Sequence, residues 1–355
     1  MAVSIKDIAK AAGVSHSTVS RALADSPLVS TVTKARVQQL AFEMGYSPDA
    51  QARSLVMGRT QSIGVVVTTI TDPFIAEIVQ AVEHTAHDWG YTVILATSSA
   101  EPEREIAAVK MLRSKRVDGV IVTSSRVGAL YQEHLERLRA PVVLVNSHRE
   151  QSGPYTFSVS VDNRHGGYLA TRHLIELGRR RIAYVTGPAD HSDDLARLAG
   201  YRDALLLADL PFDPLLTVPG SGRVDGGEGA RPRLLSIEDR PTAAFCYNDM
   251  TAIGLIRAAR REGLQVPGDL AVVGFDDIPF ASYVSPSLTT VAQPVQDIGK
   301  RAMEMVRDLL QVSESANCEI SNVLVRGVLV IRESTVANRR MLEANYEHKH
   351  LEVSI

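Results

Sequence analysis

The sequence predicts an α/β protein: an N-terminal all-α helix-turn-helix headpiece followed by a two-lobed core of doubly wound parallel sheets. Three observations predict it. Residues 1–60 hold short, well-capped helical stretches and no strand-like run. From Ser62 onward, short apolar runs alternate with amphipathic helical stretches, the rhythm of parallel strands joined by right-handed crossovers. The same rhythm restarts near residue 180, as a duplicated architecture would.

At 355 residues, 45% of them hydrophobic, the chain is long enough for two or three domains of ordinary globular composition. Its two cysteines, Cys246 and Cys318, are too few for a disulfide framework or a zinc cluster and suit a reducing cytoplasm. The start of the chain has no export signal, and no uncharged apolar run approaches the roughly 20 residues of a membrane span. A soluble cytoplasmic protein is expected. Charge is unevenly divided. Residues 1–60 carry seven Lys and Arg against four Asp and Glu, a net +3, in a chain whose total is −3, leaving −6 for the rest. A small basic module joined to an acidic body points to a polyanionic partner.

The elements follow in order. Ser4, with Asp7 three residues on, caps a first helix ending near Ala12, and Gly13 supplies the turn. Ser15 caps a second helix that turns Val19, Ala22 and Leu23 inward and His16, Ser17, Ser20 and Arg21 outward. Ser30 caps a third, with Val37, Leu40, Ala41 and Met44 on one face, ending at Gly45. Short donors and an arginine on the exposed face of a second helix are what DNA base edges and phosphates require. Pro48 and Gly58 bracket a helix-compatible stretch too short to be stable by itself.

The stretch "SIKDIAKAAGVSHSTVSRAL" resembles the DNA-binding headpiece of the lac repressor (LacI/GalR) family of bacterial transcription regulators. The resemblance implies that His16, Ser17 and Arg21 read bases and that Ser4, Ser15, Thr18 and Thr33 touch phosphates. "ARSL" matches the family's hinge helix, which implies minor-groove contacts from Ala52 and Leu55, with Leu55 as a wedge between base steps. The family is dimeric on palindromic operators, mostly repressing, and switched by a small effector. A homodimer is expected, since the tail beyond Val336 has no leucine heptads.

The core resembles the periplasmic-binding-protein-like effector core of the same family. Strands are read at "SIGVVV", "YTVILAT", "VDGVIVT", "APVVLVN", "RRIAYVTGP", "TAAFCYND", "DLAVVGFDD" and "VLVRGVLVIRES". The chain is expected to cross between lobes near 161, 289 and 322. This divides it into a headpiece (1–46), a hinge (47–60), an N-terminal lobe (61–161 with 290–321), a C-terminal lobe (162–289 with 322–337) and a tail (338–355).

Asn and Asp at strand ends ordinarily cap turns and helices. Phe74, Asn146, Asn248, Asp276 and Gln293 nevertheless fall where ligands bind in such sheets, and the resemblance makes them effector contacts. Arg197 is added as the arginine nearest the family's sugar-contacting one, whose own position is read as Leu195. Gly222 stands where several members carry a stacking ring. A carbohydrate-like effector and no cofactor or metal are expected. The glycines of "GSGRVDGG" lack dinucleotide-binding spacing, and His165 and His173 read as surface or helix-face residues. A solute-binding protein of the same core would need an export signal and no headpiece, and an enzyme would need a catalytic constellation. An activator remains the other alternative.

Overall fold

A computed structural model describes residues 3–46, 59–124, 141–146, 156–189, 191–311 and 323–336. The chain divides into two compact units, residues 1–60 and 61–355.

The first unit holds α1 (Ile5–Ala12), α2 (His16–Leu23) and α3 (Thr31–Glu43). The Asp7 carboxylate accepts from the Ser4 hydroxyl at 2.7 Å and from the Ser4 backbone N–H at 2.9 Å, which closes the α1 N-terminus and draws the Asp7 pKa down. Gly13 ends the helix at φ +64°, a left-handed conformation that costs glycine nothing, and Val14 N–H donates back to Ala9 O at 3.1 Å. Ser15 and Ser30 cap α2 and α3, accepting from Thr18 N–H at 3.1 Å and Thr33 N–H at 3.3 Å. A small core of Ile8, Ala9, Ala12, Val19, Ala22, Val37 and Ala41 joins the three.

The second unit contains two six-stranded sheets. The first is ordered β11-β5-β4-β3-β1-β2, from β1 (Ser62–Val67), β2 (Thr92–Thr97), β3 (Gly119–Thr123), β4 (Val142–Val145), β5 (Thr156–Val161) and β11 (Val323–Val325), all parallel. Flanking it are α4 (Pro73–Asp88), α5 (Pro102–Ser114) and α11 (Val295–Gln311). The second is ordered β12-β10-β9-β8-β6-β7, from β6 (Ile182–Val185), β7 (Thr217–Val218), β8 (Ala243–Cys246), β9 (Ala271–Asp276), β10 (Thr289–Ala292) and β12 (Val328–Val330). Only its β12 edge is antiparallel. Around it lie α6 (Asn163–Glu176), α7 (Ser192–Leu207), α8 (Val224–Ser236) and α9 (Asp249–Arg261), with the short α10 (Phe280–Tyr283) after β9. The apolar strand runs are buried on both faces, as parallel sheets demand: β4, β6, β8 and β9 are buried throughout.

Two lobe crossings fall later than the sequence reading sets them. β10 runs in register with β9, from Thr289 opposite Val273 to Ala292 opposite Asp276, so residues 289–292 belong to the second sheet and the crossing follows them. β11 pairs with β5, Val323 opposite Val159, so 323–325 belong to the first sheet and the last crossing is at Arg326–Gly327. "VLVRGVLV" reads as one run because both halves are strand. Gly327 divides it by close approach: a Cβ there would lie 2.8 Å from the Ala292 carbonyl oxygen.

Of the surface or helix-face reading, His173 takes the second, on a buried face. It is buried on α6, its Nε2 is 2.9 Å from the Thr335 hydroxyl, and desolvation lowers its pKa from 6.5 to about 4. Among the described residues no group of His, Cys, Asp and Glu could hold a metal, and no helix is long and apolar enough to cross a membrane. Because the native state takes up this proton less readily than the unfolded chain, stability present above pH 6.5 is lost as pH falls toward 4. From the two pKa values His173 should account for about 2 kcal/mol of the loss by pH 5. Denaturant titrations of wild type and His173→Gln at pH 7.5 and 5 test this. The variant should lose less stability on acidification, and an equal loss would rule out His173 as a contributor.

Candidate functional site

The headpiece exposes one polar helix face. His16, Ser17, Ser20 and Arg21 are exposed on α2, while Val19 and Ala22 of the same helix are fully buried. Ser15 Oγ shares hydrogen bonds of 2.8 Å with the hydroxyls of both Ser17 and Thr18, which orders the first turn. Ser4 is exposed; Thr18 and Thr33 are half-buried, and the Thr33 hydroxyl bonds that of Ser30 at 2.9 Å. These side chains sit at helix N-termini, where backbone N–H groups and the helix dipole favour anions. Ala52 and Leu55 lie outside the described residues.

In the second unit the C-terminal ends of both sheets face one cavity of about 420 Å³ between the lobes. Phe74, Asn146, Arg197, Asn248 and Asp276 all line it. Phe74 stands in the first turn of α4, where the Asp72 carboxylate accepts its N–H at 3.0 Å, and burial raises the Asp72 pKa. Asn146 and Asp276 leave their strands at φ +50° and +113°. These left-handed conformations are unusual outside glycine and tolerated best by such short polar side chains.

Arg197 is the centre of the cleft. Its backbone is set where α6 and α7 touch through glycine, for a Cβ at Gly167 would run into the Arg197 carbonyl and one at Gly200 into the Arg164 carbonyl. The buried guanidinium donates to Asn163 Oδ1 at 2.8 Å and to the Tyr247 carbonyl at 2.5 Å. It lies 3.8 Å from Asp276 Oδ1 and 3.7 Å above the Phe275 ring centroid. Leu195, read as the displaced anchor position, is 60% exposed. Helix geometry explains this: two residues apart on α7, the side chains at 195 and 197 diverge. Arg197, not residue 195, lines the cleft.

Gln293 does not line the cavity; it stands behind it. Its Nε2 donates to Asp276 Oδ1 at 2.7 Å and its Oε1 accepts from Asn146 Nδ2 at 3.4 Å, so it links a strand end of each lobe. Burial pushes the Asp276 carboxyl well above its usual range, opposed by Arg197. Asn248 is chiefly a cap: its Oδ1 accepts from Thr251 N–H at 3.0 Å and hydroxyl at 2.8 Å, and its Nδ2 donates to Gly222 O at 2.9 Å. Neighbouring Asp249 turns away, accepting from Thr290 Oγ1 and Ile278 N–H at 2.6 and 2.9 Å.

Sequence reasoning missed Tyr247, His191 and Asp193. The Tyr247 ring lies in a slot between two glycines: a Cβ at Gly187 would meet it at 2.6 Å, and one at Gly222 at 3.4 Å. The aromatic wall absent at Gly222 is therefore supplied from β8. Asn146 and Asp193, which line the cavity, each hold a buried side-chain oxygen, Oδ1, that has no hydrogen-bond partner among the described residues. One belongs to each lobe. The sequence signal for Asp193 was its place in the first turn of a helix beside the cleft, where an acid also serves the helix dipole.

Comparison with known proteins identifies both parts of the chain. Residues 4–49 match the bacterial regulatory proteins of the lacI family, and residues 171–335 match a periplasmic binding protein-like domain. The chain is 36% identical over 308 residues to the HTH-type transcriptional repressor PurR of Vibrio atlanticus (strain LGP32), covering 86% of this chain and 92% of that protein. It is 38% identical to PurR of Proteus mirabilis (strain HI4320) over 86% and 89% of the two chains. Among solved structures, the lac repressor dimer bound to operator and the anti-inducer ONPF superposes with a TM-score of 0.84 at 27% identity, over 94% of this chain and 99% of that one. The transcriptional regulator CelR–cellobiose complex superposes with a TM-score of 0.71 at 31% identity, over 94% and 99%. A DNA-reading headpiece, a two-lobed ligand cleft and these relatives have one explanation: the chain belongs to the lacI family of bacterial regulatory proteins, as an effector-switched DNA-binding transcription regulator and not an enzyme.

Proposed function

We propose that this protein is a repressor that binds a palindromic operator as a homodimer in the cytoplasm and is switched by an uncharged, hydroxyl-rich effector in the interlobe cleft. In this reading His16, Ser17 and Arg21 contact bases, while Ser4, Ser15, Thr18 and Thr33 contact phosphates. Ala52 and Leu55 belong to a hinge in the minor groove. The effector lies against Phe74 and Tyr247 and bonds Asn146, Arg197 and Asp276. Asn248 borders it, and Gln293 positions Asp276.

One observation supports the effector chemistry above others: the two unpartnered acceptors, Asn146 Oδ1 and Asp193 Oδ1, on opposite lobes of one cavity. A buried acceptor without a donor costs about 1–3 kcal/mol, which a ligand hydroxyl would recover. The lining carries the carboxyl groups of Asp72, Asp193 and Asp276 alongside Arg197, Arg223 and His191, and two of the Arg197 donors already serve protein acceptors, so a ligand with many hydroxyls finds more partners here than a compact anion. A transcriptional regulator from Enterococcus faecium with bound ribose and the cellobiose-bound CelR are precedents among the structural neighbours.

Thermal unfolding against neutral sugars, polyols and their phosphates tests the effector. At about 100 times its dissociation constant a true ligand should add roughly 2.7 kcal/mol. Hits should be neutral, and a panel answered only by phosphates would reject the reading. Asp193→Ala should abolish the ligand shift while leaving the unliganded protein as stable as wild type or more so, because the unsatisfied carboxylate is gone.

For DNA, an operator selected from random sequence should be an inverted repeat. Arg21→Ala should weaken it by about tenfold to a hundredfold, the range of a lost base contact. Leu55→Ala should weaken specific binding at least tenfold and leave non-specific binding nearly unchanged. Equal losses on random DNA would sink both assignments.

A further inference from the structure

The sheet of the C-terminal lobe has two ends, and the cleft uses one of them. At the opposite end, beside the first residues of β8 and β9, a second cavity of about 380 Å³ opens between α8, α9 and the 264–270 loop. That volume falls within the roughly 300–1,000 Å³ of small-molecule sites. None of its lining residues lines the cleft. The floor is apolar: Leu234, Leu255 and Leu270 are at most 6% exposed. The rim carries the guanidinium groups of Arg179, Arg231 and Arg240.

These three cations are not equivalent. Arg231 pairs with Glu262 at 2.8 Å. Arg179 donates to the carbonyls of Pro267 and Gly268 at 2.7 and 3.2 Å, which hold it in place without cancelling its charge. Arg240 is exposed and has no hydrogen-bond or ion-pair partner among the described residues. Asp269 also borders the cavity, and its carboxylate accepts from the Gln265 N–H at 2.7 Å. Positive charge therefore exceeds negative charge at the rim of a leucine-floored cavity.

We propose that this cavity is a second ligand site, one that takes a small amphipathic anion. Its apolar body lies on the leucine floor and its carboxylate meets the fork of Arg240. An uncharged apolar molecule would gain nothing from the guanidinium, and a bare anion would leave the floor wet. α8 and α9 both begin beside the cleft, at Arg223 and Asn248, and both reach this cavity with their later turns. Two helices thus run from one site to the other, so an occupant here has a direct structural route to the cleft.

Isothermal titration of the full-length protein with octanoate tests the assignment, with n-octanol and inorganic phosphate as the two half-ligands. Saturable binding of one octanoate per chain is expected, with each half-ligand at least tenfold weaker. Arg240→Gln, a change at an exposed position, should weaken octanoate at least tenfold, and Leu235→Asp at the half-buried wall should do the same by repulsion. No saturable octanoate binding would overturn the proposal, as would phosphate binding as tightly as octanoate. So would loss of octanoate binding in a Phe74→Ala cleft variant with Arg240→Gln unaffected, which would locate the probe in the cleft.

Discussion

The cleft depends on one buried guanidinium. Arg197 is 3% exposed, and a charge taken out of water costs several kcal/mol unless fixed dipoles and counter-charges replace the lost hydration. Its replacements come from separate places in the chain: Asn163 at the start of α6, the Tyr247 carbonyl after β8, Asp276 at the end of β9, and the Phe275 face. None is close to Arg197 in sequence. They converge because α6 and α7 approach backbone to backbone at Gly167 and Gly200, so two unremarkable glycines decide where the charge lies. Through Gln293 the chain of contacts continues from Asp276 to Asn146, from the second lobe into the first.

That network explains why the cleft has acceptors to spare. Of the donors in that network, the Arg197 Nε and Nη1, the Gln293 amide and the Asn248 amide all serve protein groups. The Asn146 and Asp193 Oδ1 acceptors have no partner among the described residues. An unmet buried acceptor is a free-energy cost carried by the empty protein, and a ligand that meets one from each lobe removes both costs only when the lobes hold it together. Binding and lobe arrangement are then two descriptions of one event. The arginine-rimmed cavity at the far end of the second sheet differs: its unpaired group among the described residues is an exposed cation and its floor is apolar.

Much of this was legible in the sequence where the signal is local. The headpiece helices follow from Ser4, Ser15, Ser30 and Gly13, each a cap whose chemistry acts within four residues. The buried strands follow from their apolar runs, Asn146 and Asp276 from standing at strand ends, and Phe74 from opening the helix after the first strand. What depends on through-space approach was not legible. Tyr247 became the aromatic wall because Gly187 and Gly222 leave a slot for its ring, and nothing in "FCYND" announces that. Arg197 was named as a candidate, but the sequence alone does not reveal which face of its helix meets the cleft, and a two-residue shift changes the face. The crossings moved by a few residues because pairing partners, not apolar content, assign 289–292 and 323–325 to their sheets. Asn248 shows the opposite risk: it borders the cavity as expected, yet its hydrogen bonds are those of an ordinary helix cap.

The crossovers limit what the lobes can do relative to each other. Asp162, at the first crossing, caps α6 by accepting from His165 N–H at 2.9 Å, and its own N–H donates to Val325 O at 2.8 Å. Its carboxylate also lies 3.7 Å from Arg326 at the third crossing. The first and third crossings are thus stitched to each other, and Gln293 opens the second. Two lobes joined by short crossings can differ in their angle to each other, and hinge closure around a ligand is a common form of that change. An effector shifts this equilibrium only by its difference in affinity between the lobe angles. If operator DNA also distinguishes those angles, effector and operator must change each other's affinity by the same factor. Whether that factor favours or opposes DNA binding depends on which lobe angle brings the two acceptors within reach of one ligand.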